Sequence, residues 1–358
     1  MEAAVRKSAL RNFENPAFQK FPKNNWYIAA ASAEVEGNIL SRKINGEAIL
    51  LYRKTDGSVA ALRDACPHKG FPLSKGVVIG DDVRCGYHGI SFAGDGHCTH
   101  IPSQAVIPAA MCVRSYPVIE RGLFIWVWTG DPARAEGVAL PTLGFEDIDA
   151  VQREFFFAVE VDCNAQLLID NLLDHTHFTY LHQGSLDNDP DAGDDGGEFM
   201  RAPLQFEQQG DAISTWRDVD SIMATAAVSV IWGVPEGVAY SRRLETKGFP
   251  ASGYMGSWDC FRDLDDPEKV VAESAALGGV TPIDEDRCLH FVTWSTTYPQ
   301  HKDMKLFVQT IVDQDVAVLP DIHRLLRDDD SASEVSLVAD KAAMISRRMV
   351  AQAQALDG

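Results

Sequence analysis

Four side chains able to bind a metal lie in two short clusters, Cys66-Pro-His68 and Cys85-Gly-Tyr-His88, with sixteen residues between His68 and Cys85. Each cluster offers one thiolate and one imidazole. Two thiolates on one iron and two neutral imidazoles on the other make the irons of a two-iron cluster unequal, and raise its reduction potential above that of an all-cysteine ferredoxin. A structural zinc ion also accepts two Cys and two His. Zinc sites, however, more often keep the cysteines on one loop and the histidines on another.

A second constellation follows at Asn171-Leu-Leu-Asp174-His175-Thr-His177-Phe-Thr-Tyr-Leu-His182. Two neutral imidazoles and one carboxylate on one side of Fe(II) leave positions open opposite, where O₂ and a substrate can meet. Residues five apart on an ideal helix point about 140° apart. His177 and His182 therefore face one ion only if the helix ends or distorts between them, and a distortion near Tyr180 is expected. His175 sits off this spacing and reads as a supporting or surface residue.

The elements around the first constellation read as strands. Ala48 to Leu62 alternates as a hairpin about Thr55-Asp56-Gly57, Phe92 to Cys98 forms another about Ala93-Gly94-Asp95-Gly96, and Leu123 to Trp128 is a short apolar run suited to a buried strand. Gly70, Gly76, Gly80, Gly86 and Gly89 supply the tight backbone that ligand loops need. Trp26 to Trp128 thus reads as one small strand-rich domain, and the chain continues far beyond it.

With 358 residues and 46% hydrophobic composition, the chain can bury one or two full cores. Cys98, Cys112, Cys163, Cys260 and Cys288 are odd in number and irregular in spacing, which fits reduced core thiols rather than a disulfide framework. Met1 to Lys23 has no signal-like apolar core and no run approaches a membrane span, so a soluble cytoplasmic protein is expected. A net charge of −20, from 52 acids and 32 bases, argues against nucleic-acid binding. Ser185 to Glu198 reads as an acidic loop, a lid or a plain solvated segment, and a final amphipathic helix is expected from about Ser333 to Leu356. Lys69, Lys75 and Arg84 flank the cluster loops and could form a basic rim.

The pattern Cys-x-His, x16, Cys-x-x-His resembles the Rieske motif, and Asn-x2-Asp-x2-His-x4-His resembles the mononuclear iron motif of the Rieske non-haem iron oxygenases. Lys69 stands where that family usually has Arg, and Ile90 where it usually has Trp. The resemblance runs from Trp26 to the last helix and is nearest to oxygenase components of the vanillate O-demethylase, dicamba O-demethylase and toluenesulfonate methyl-monooxygenase kind.

It implies an α+β chain: an N-terminal extension (1–23), an all-β Rieske [2Fe–2S] domain (24–135), and a catalytic domain (136–358) of helix-grip type, similar to START and Bet v1 folds. Strands of that grip are expected at Phe155 to Val161, Ala212 to Arg217, Ala226 to Trp232, Val238 to Leu244 and Cys288 to Thr296. Cys66, His68, Cys85 and His88 would hold the cluster, and His177, His182 and Asp315 the Fe(II). Asp313 is the runner-up, and Pro320 puts the helix after Asp315 in question.

Asp174, with Asn171 near it, would act in catalysis by bridging a cluster histidine of the next subunit of a homotrimer to His177, with Asp170 as fallback. Electrons would come from NAD(P)H through a flavin reductase, directly or by way of a ferredoxin. The implied reaction is O₂-dependent hydroxylation or O-demethylation of an aromatic compound; hydroxylation of an alkaloid- or steroid-type ring is the alternative. Arg201, Arg217, Arg242, Arg243 and Lys247 could include an anion clamp, although surface positions suit most of them. A redox module without oxygenase activity would make Asp315 and the two histidines bystanders.

Overall fold

A computed structural model describes residues 17–37, 39–182, 197–224, 226–328 and 334–357. The N-terminal third is built of short strands: β1 (Trp26–Ala31), β2 (Leu40–Ile44), β3 (Glu47–Arg53), β4 (Val59–Arg63), β5 (Val77–Ile79), β6 (Asp82–Arg84), β7 (Ser91–Phe92), β8 (Cys98–His100), β9 (Val118–Arg121) and β10 (Phe124–Trp128). They pair in antiparallel sheets of order β1-β10-β9, β2-β3-β4 and β5-β6-β7-β8. Both expected hairpins form, with Arg53 opposite Val59 and Phe92 opposite Cys98, and β10 is buried along its whole length.

After a short helix α1 (Pro132–Ala135) the chain builds one seven-stranded antiparallel sheet. Its strands are β11 (Gln152–Val161), β12 (Gln205–Gln209), β13 (Ala212–Met223), β14 (Ala239–Phe249), β15 (Tyr254–Asp263), β16 (Val270–Pro282) and β17 (Cys288–Thr296), in the spatial order β11-β17-β16-β15-β14-β13-β12. Helices α2 (Ala165–Leu173), α3 (Phe178–Leu181), α4 (Gly197–Arg201), α5 (Ala226–Trp232), α6 (Met304–Asp328) and α7 (Lys341–Ala355) complete it. Helix α6 lays Met304, Val308 and Val312 against Val292 and Phe156 of the sheet, so the long helix is held in the sheet's grip.

Four expectations need correction. Ala226 to Trp232 is helix α5, not a strand. An apolar run of this length fits either state, and Met223 already pairs with Ala239, so the segment is an excursion outside the ladder with no strand edge to join. β15 and β16 were not expected; glycine, alanine and serine in β16 mask its strand character. The last helix starts at Lys341 rather than Ser333. Cys112 is exposed, whereas Cys98, Cys163, Cys260 and Cys288 are buried thiols as expected. The acidic loop lies outside the described residues up to 196.

The first unit is anchored on the outer face of the large sheet. Thr281 Oγ1 of β16 donates to Ile28 O of β1 at 2.7 Å, and Asn45 and Gly46 N–H donate to Pro282 and Ile283 carbonyls. Ile28, Trp126, Tyr254 and Phe291 close a shared apolar cluster there; each such buried side chain contributes about 1.5–3 kcal/mol.

Candidate metal centres

The two cysteine loops are the same turn used twice. Cys66 N–H donates to Phe71 O and Gly70 N–H returns to Cys66 O; likewise Cys85 N–H donates to Ile90 O and Gly89 N–H to Cys85 O, all at 2.8–3.0 Å. Gly70 and Gly89 close these turns at φ 69° and 73°, a region that a side chain disfavours. The turns bury both thiols and leave both imidazoles exposed, with the His68 and His88 rings 4.5 Å apart. Burial pushes the Cys66 thiol up and Cys85 beside it adds to that, while the N–H groups of His68 and Lys69 point at the sulfur and oppose the rise. Sulfurs lie with sulfur and imidazoles with imidazole, and no three of the four donors come within 4.8 Å of one another. That suits two irons and not one zinc. Of the two departures from the family pattern, Ile90 is core and Lys69 is exposed.

In the larger unit, Asn164 caps α2 by accepting from Gln166 N–H, and α2 ends at Asp174, whose backbone is extended. One helical turn, α3, then runs from Phe178 to Leu181, with His177 and His182 at its two ends. The distortion expected near Tyr180 is absent: Leu181 and His182 N–H donate to the His177 and Phe178 carbonyls, so one intact turn links the two histidines. It brings His177 Nε2 and His182 Nε2 to 3.2 Å.

The carboxylate comes from α6. Its buried stripe reads Met304, Val308, Val312, Asp315, Leu319, His323, so Asp315 occupies a core position where an unpaired carboxylate is costly. Asp313 is exposed and accepts from Gln309. The helix continues through Pro320. Asp315 Oδ1 stands 3.7 Å from His177 Nε2 and 3.4 Å from His182 Nε2. Donors about 2.1 Å from one ion at right angles are about 3 Å apart, so a triangle of these edges fits a facial ligand set. Among the described residues this is the one group of three His, Cys, Asp or Glu donors within 4.8 Å of one another.

Each donor has an outer partner. Asn171 Nδ2 donates to Asp315 Oδ1 at 3.2 Å. Gln314 Oε1 lies 2.9 Å from His182 Nδ1, and Asp174 Oδ2 3.6 Å from His177 Nδ1. Burial would raise the Asp174 carboxyl, but His177 and hydrogen bonds from Thr176 outweigh it and hold the carboxyl low. Asp170 is spent elsewhere: it is buried against Arg347, which donates to it at 2.7 Å.

Gln314 and His290 were not anticipated. A glutamine beside an aspartate carries no sequence signal, and His290 needed the register of β17. Burial holds the His290 imidazole down, at about 4. His175 is not a surface residue: it is fully buried, stacked on Phe178, and held by burial at about 3. Of the clamp candidates, Arg242 is buried in a bidentate pair with Asp259, and Arg217 is buried and donates to the Met200 and Ala202 carbonyls. Arg243 pairs with Glu245 and Asp218 on the outer side.

Comparison with known proteins agrees with this geometry. Residues 25–117 match the Rieske [2Fe-2S] domain, and residues 161–356 match the vanillate O-demethylase oxygenase C-terminal domain. The chain is 35% identical over 249 residues to the oxygenase component of dicamba O-demethylase from Stenotrophomonas maltophilia, covering 64% of this chain and 73% of the relative. It is 30% identical to the iron–sulfur subunit of a toluene-4-sulfonate monooxygenase system from Comamonas testosteroni, covering 75% and 87%. A crystal structure of dicamba monooxygenase bound to 3,6-dichlorosalicylic acid superposes with TM-score 0.84 at 28% identity, over 94% of this chain and 99% of that one. With a Rieske [2Fe–2S] unit, a mononuclear iron unit and these relatives, the chain belongs to the Rieske non-haem iron oxygenases, as an oxygenase component of the vanillate O-demethylase type.

Proposed function

We propose that Cys66, His68, Cys85 and His88 hold the [2Fe–2S] cluster, that His177, His182 and Asp315 hold Fe(II), and that the chain hydroxylates or O-demethylates an aromatic compound. The observation that carries this reading is the triangle of His177, His182 and Asp315 donor atoms, 3.2–3.7 Å on a side, in the grip of the large sheet. Bound iron supplies the activation of O₂, with electrons delivered singly through the cluster.

The residues do the positioning. The two imidazoles and Asp315 take one side of the ion and leave the other to O₂ and substrate. Asn171 and Gln314 fix two of the three donors, as outer partners of metal ligands do. A methoxy carbon hydroxylated there breaks down to formaldehyde and a phenol, so demethylation needs no chemistry beyond hydroxylation. Relatives named for dicamba, vanillate and toluene-4-sulfonate support an aromatic substrate.

The domain limits are proposed as 1–23, 24–135 and 136–358. The electron donor is a ferredoxin or flavin reductase drawing on NAD(P)H, meeting Lys69, Lys75 and Arg84, all of them exposed beside the cluster loops. The assembly is proposed as a homotrimer in which Asp174 joins His177 to His68 or His88 of the next subunit. Two features support it. The cluster imidazoles are exposed beside Tyr87, itself 60% exposed, and the Asp174 side chain keeps 27% exposure next to His177.

Metal analysis tests the reading: about three irons and two labile sulfides per chain are expected. Cys85→Ser should bleach the visible absorption yet keep mononuclear iron. Stoichiometric zinc without labile sulfide overturns it.

A further inference from the structure

Cross-strand register sets Thr215, Thr246, Ser257 and Ala276 in one row across β13, β14, β15 and β16. The row lies on the sheet face turned toward the iron site, because Thr246 Oγ1 is 2.9 Å from Nε2 of His175, two residues before His177. Thr246 Oγ1 is in turn 2.9 Å from Ser257 Oγ. His175 and Thr246 are buried, whereas Ser257 and Ala276 opposite it keep part of their exposure although both strands are central in the sheet. The chain of hydroxyls therefore starts at a sealed imidazole and ends at a half-buried serine on the same face.

The chain has a direction. His175 Nδ1 is buried and has no hydrogen-bond partner among the described residues. A buried N–H without an acceptor is rarer in proteins than an unused acceptor, so the ring proton belongs on Nε2. His175 then donates to Thr246, and Thr246 donates to Ser257. Ser257 then accepts on one of its two lone pairs and keeps its own proton to give, strengthened by the two bonds behind it.

We infer that Ser257 is the substrate anchor of this oxygenase, donating a hydrogen bond to a carboxylate or carbonyl oxygen carried on the substrate ring. The inference rests on the aromatic-substrate reading above and adds to it the group that is recognised. Thr246 and His175 act through Ser257, as positioning residues that hold its proton away from the buried end of the chain. Arg242, four residues along β14 on the same face as Thr246, is already matched by Asp259 and leaves the contact to the hydroxyl.

The test compares a methoxybenzoate with the matching methoxytoluene, which has the same ring and ether but no carboxylate. Binding of each to the iron-loaded holoenzyme is measured by calorimetry, alongside KM and kcat from O₂ uptake, for wild type, Ser257→Ala, Thr246→Val and Thr246→Ser. Ser257→Ala should weaken methoxybenzoate binding roughly tenfold, raise KM in parallel with little change in kcat, and leave methoxytoluene unaffected. Thr246→Val should show the same selectivity to a smaller extent, and Thr246→Ser, which keeps the hydroxyl, should restore it; this also separates anchoring from a folding defect. Wild-type binding of methoxybenzoate that Ser257→Ala leaves intact overturns the anchor alone. A wild-type holoenzyme that binds neither compound overturns the aromatic reading and the anchor with it.

Discussion

Asp315 and Asp313 are two residues apart in one helix, yet one faces two imidazoles and the other faces water. Asp315→Ala should lose the mononuclear iron and all turnover while the visible spectrum of the cluster stays intact; Asp313→Ala should retain both. Iron analysis beside the visible spectrum decides, and an active, iron-replete Asp315→Ala protein would sink the ligand assignment. Gln314→Leu removes the acceptor that holds His182, and should weaken iron binding by roughly 10–100-fold in a chelator competition, whereas Gln314→Glu should not. The cysteines and histidines proposed as ligands stood out in the sequence because their spacing is local and their chemistry narrow. Asp315 was legible only with the family pattern beside it, since several acids share that stretch and only the buried stripe of α6 separates them. The roles proposed for Gln314 and Ser257 rest on contacts 132 and 11 residues away in sequence, which no local pattern records.

Elements tell a similar story about what travels in a sequence. β17 and most of β11 formed where the resemblance implied them, and one intact turn, α3, joins the two candidate ligand histidines. The strand expected at Ala226 to Trp232 failed because an apolar run says that a segment is buried, and its partner edge then decides whether it is a strand. The contact between the β2–β3 and β16–β17 turns was equally invisible. There, burial alone would raise the Asp284 carboxyl, but hydrogen bonds from Arg287, Lys43 and Asp286 N–H outweigh it and bring it down to about 2. A carboxyl held below its unfolded value of about 3.9 stabilises the fold fully above that pH, and the contribution is lost as pH falls toward 2. Thermal melts of Asp284→Asn should therefore be less stable than wild type at neutral pH and converge with it near pH 2. A constant gap between the two across that range would show that the pairing does not titrate.

For the whole molecule, the two-part fold was legible through the family resemblance that the two motifs carry, and no helix among the described residues is long and apolar enough to cross a membrane. Subunit arrangement was carried only by the family pattern. Asp174→Asn keeps the size of the side chain and its bond from Thr176 N–H but removes its charge, so it should retain cluster, iron and substrate binding while losing most turnover. Freeze-quench spectroscopy should find the reduced cluster persisting in the presence of substrate and O₂. Rapid cluster reoxidation in Asp174→Asn would rule out that carboxylate as the link. Charge reversal at Lys69 and Lys75 should slow reduction by the physiological donor and flatten its salt dependence, yet leave reduction by dithionite unchanged.

The cluster imidazoles are bare on the outside of one unit, while the iron triad is enclosed in the other. If electrons leave through His68 or His88 into a neighbour, the two halves of the reaction belong to different polypeptides. Subunits disabled by Cys85→Ser and subunits disabled by His177→Ala would each be inactive alone, yet co-expressed in one ring they would complement. A cluster from one mutant parent would serve the iron of the other, and activity would follow the binomial frequency of productive neighbours rather than the dose of either gene.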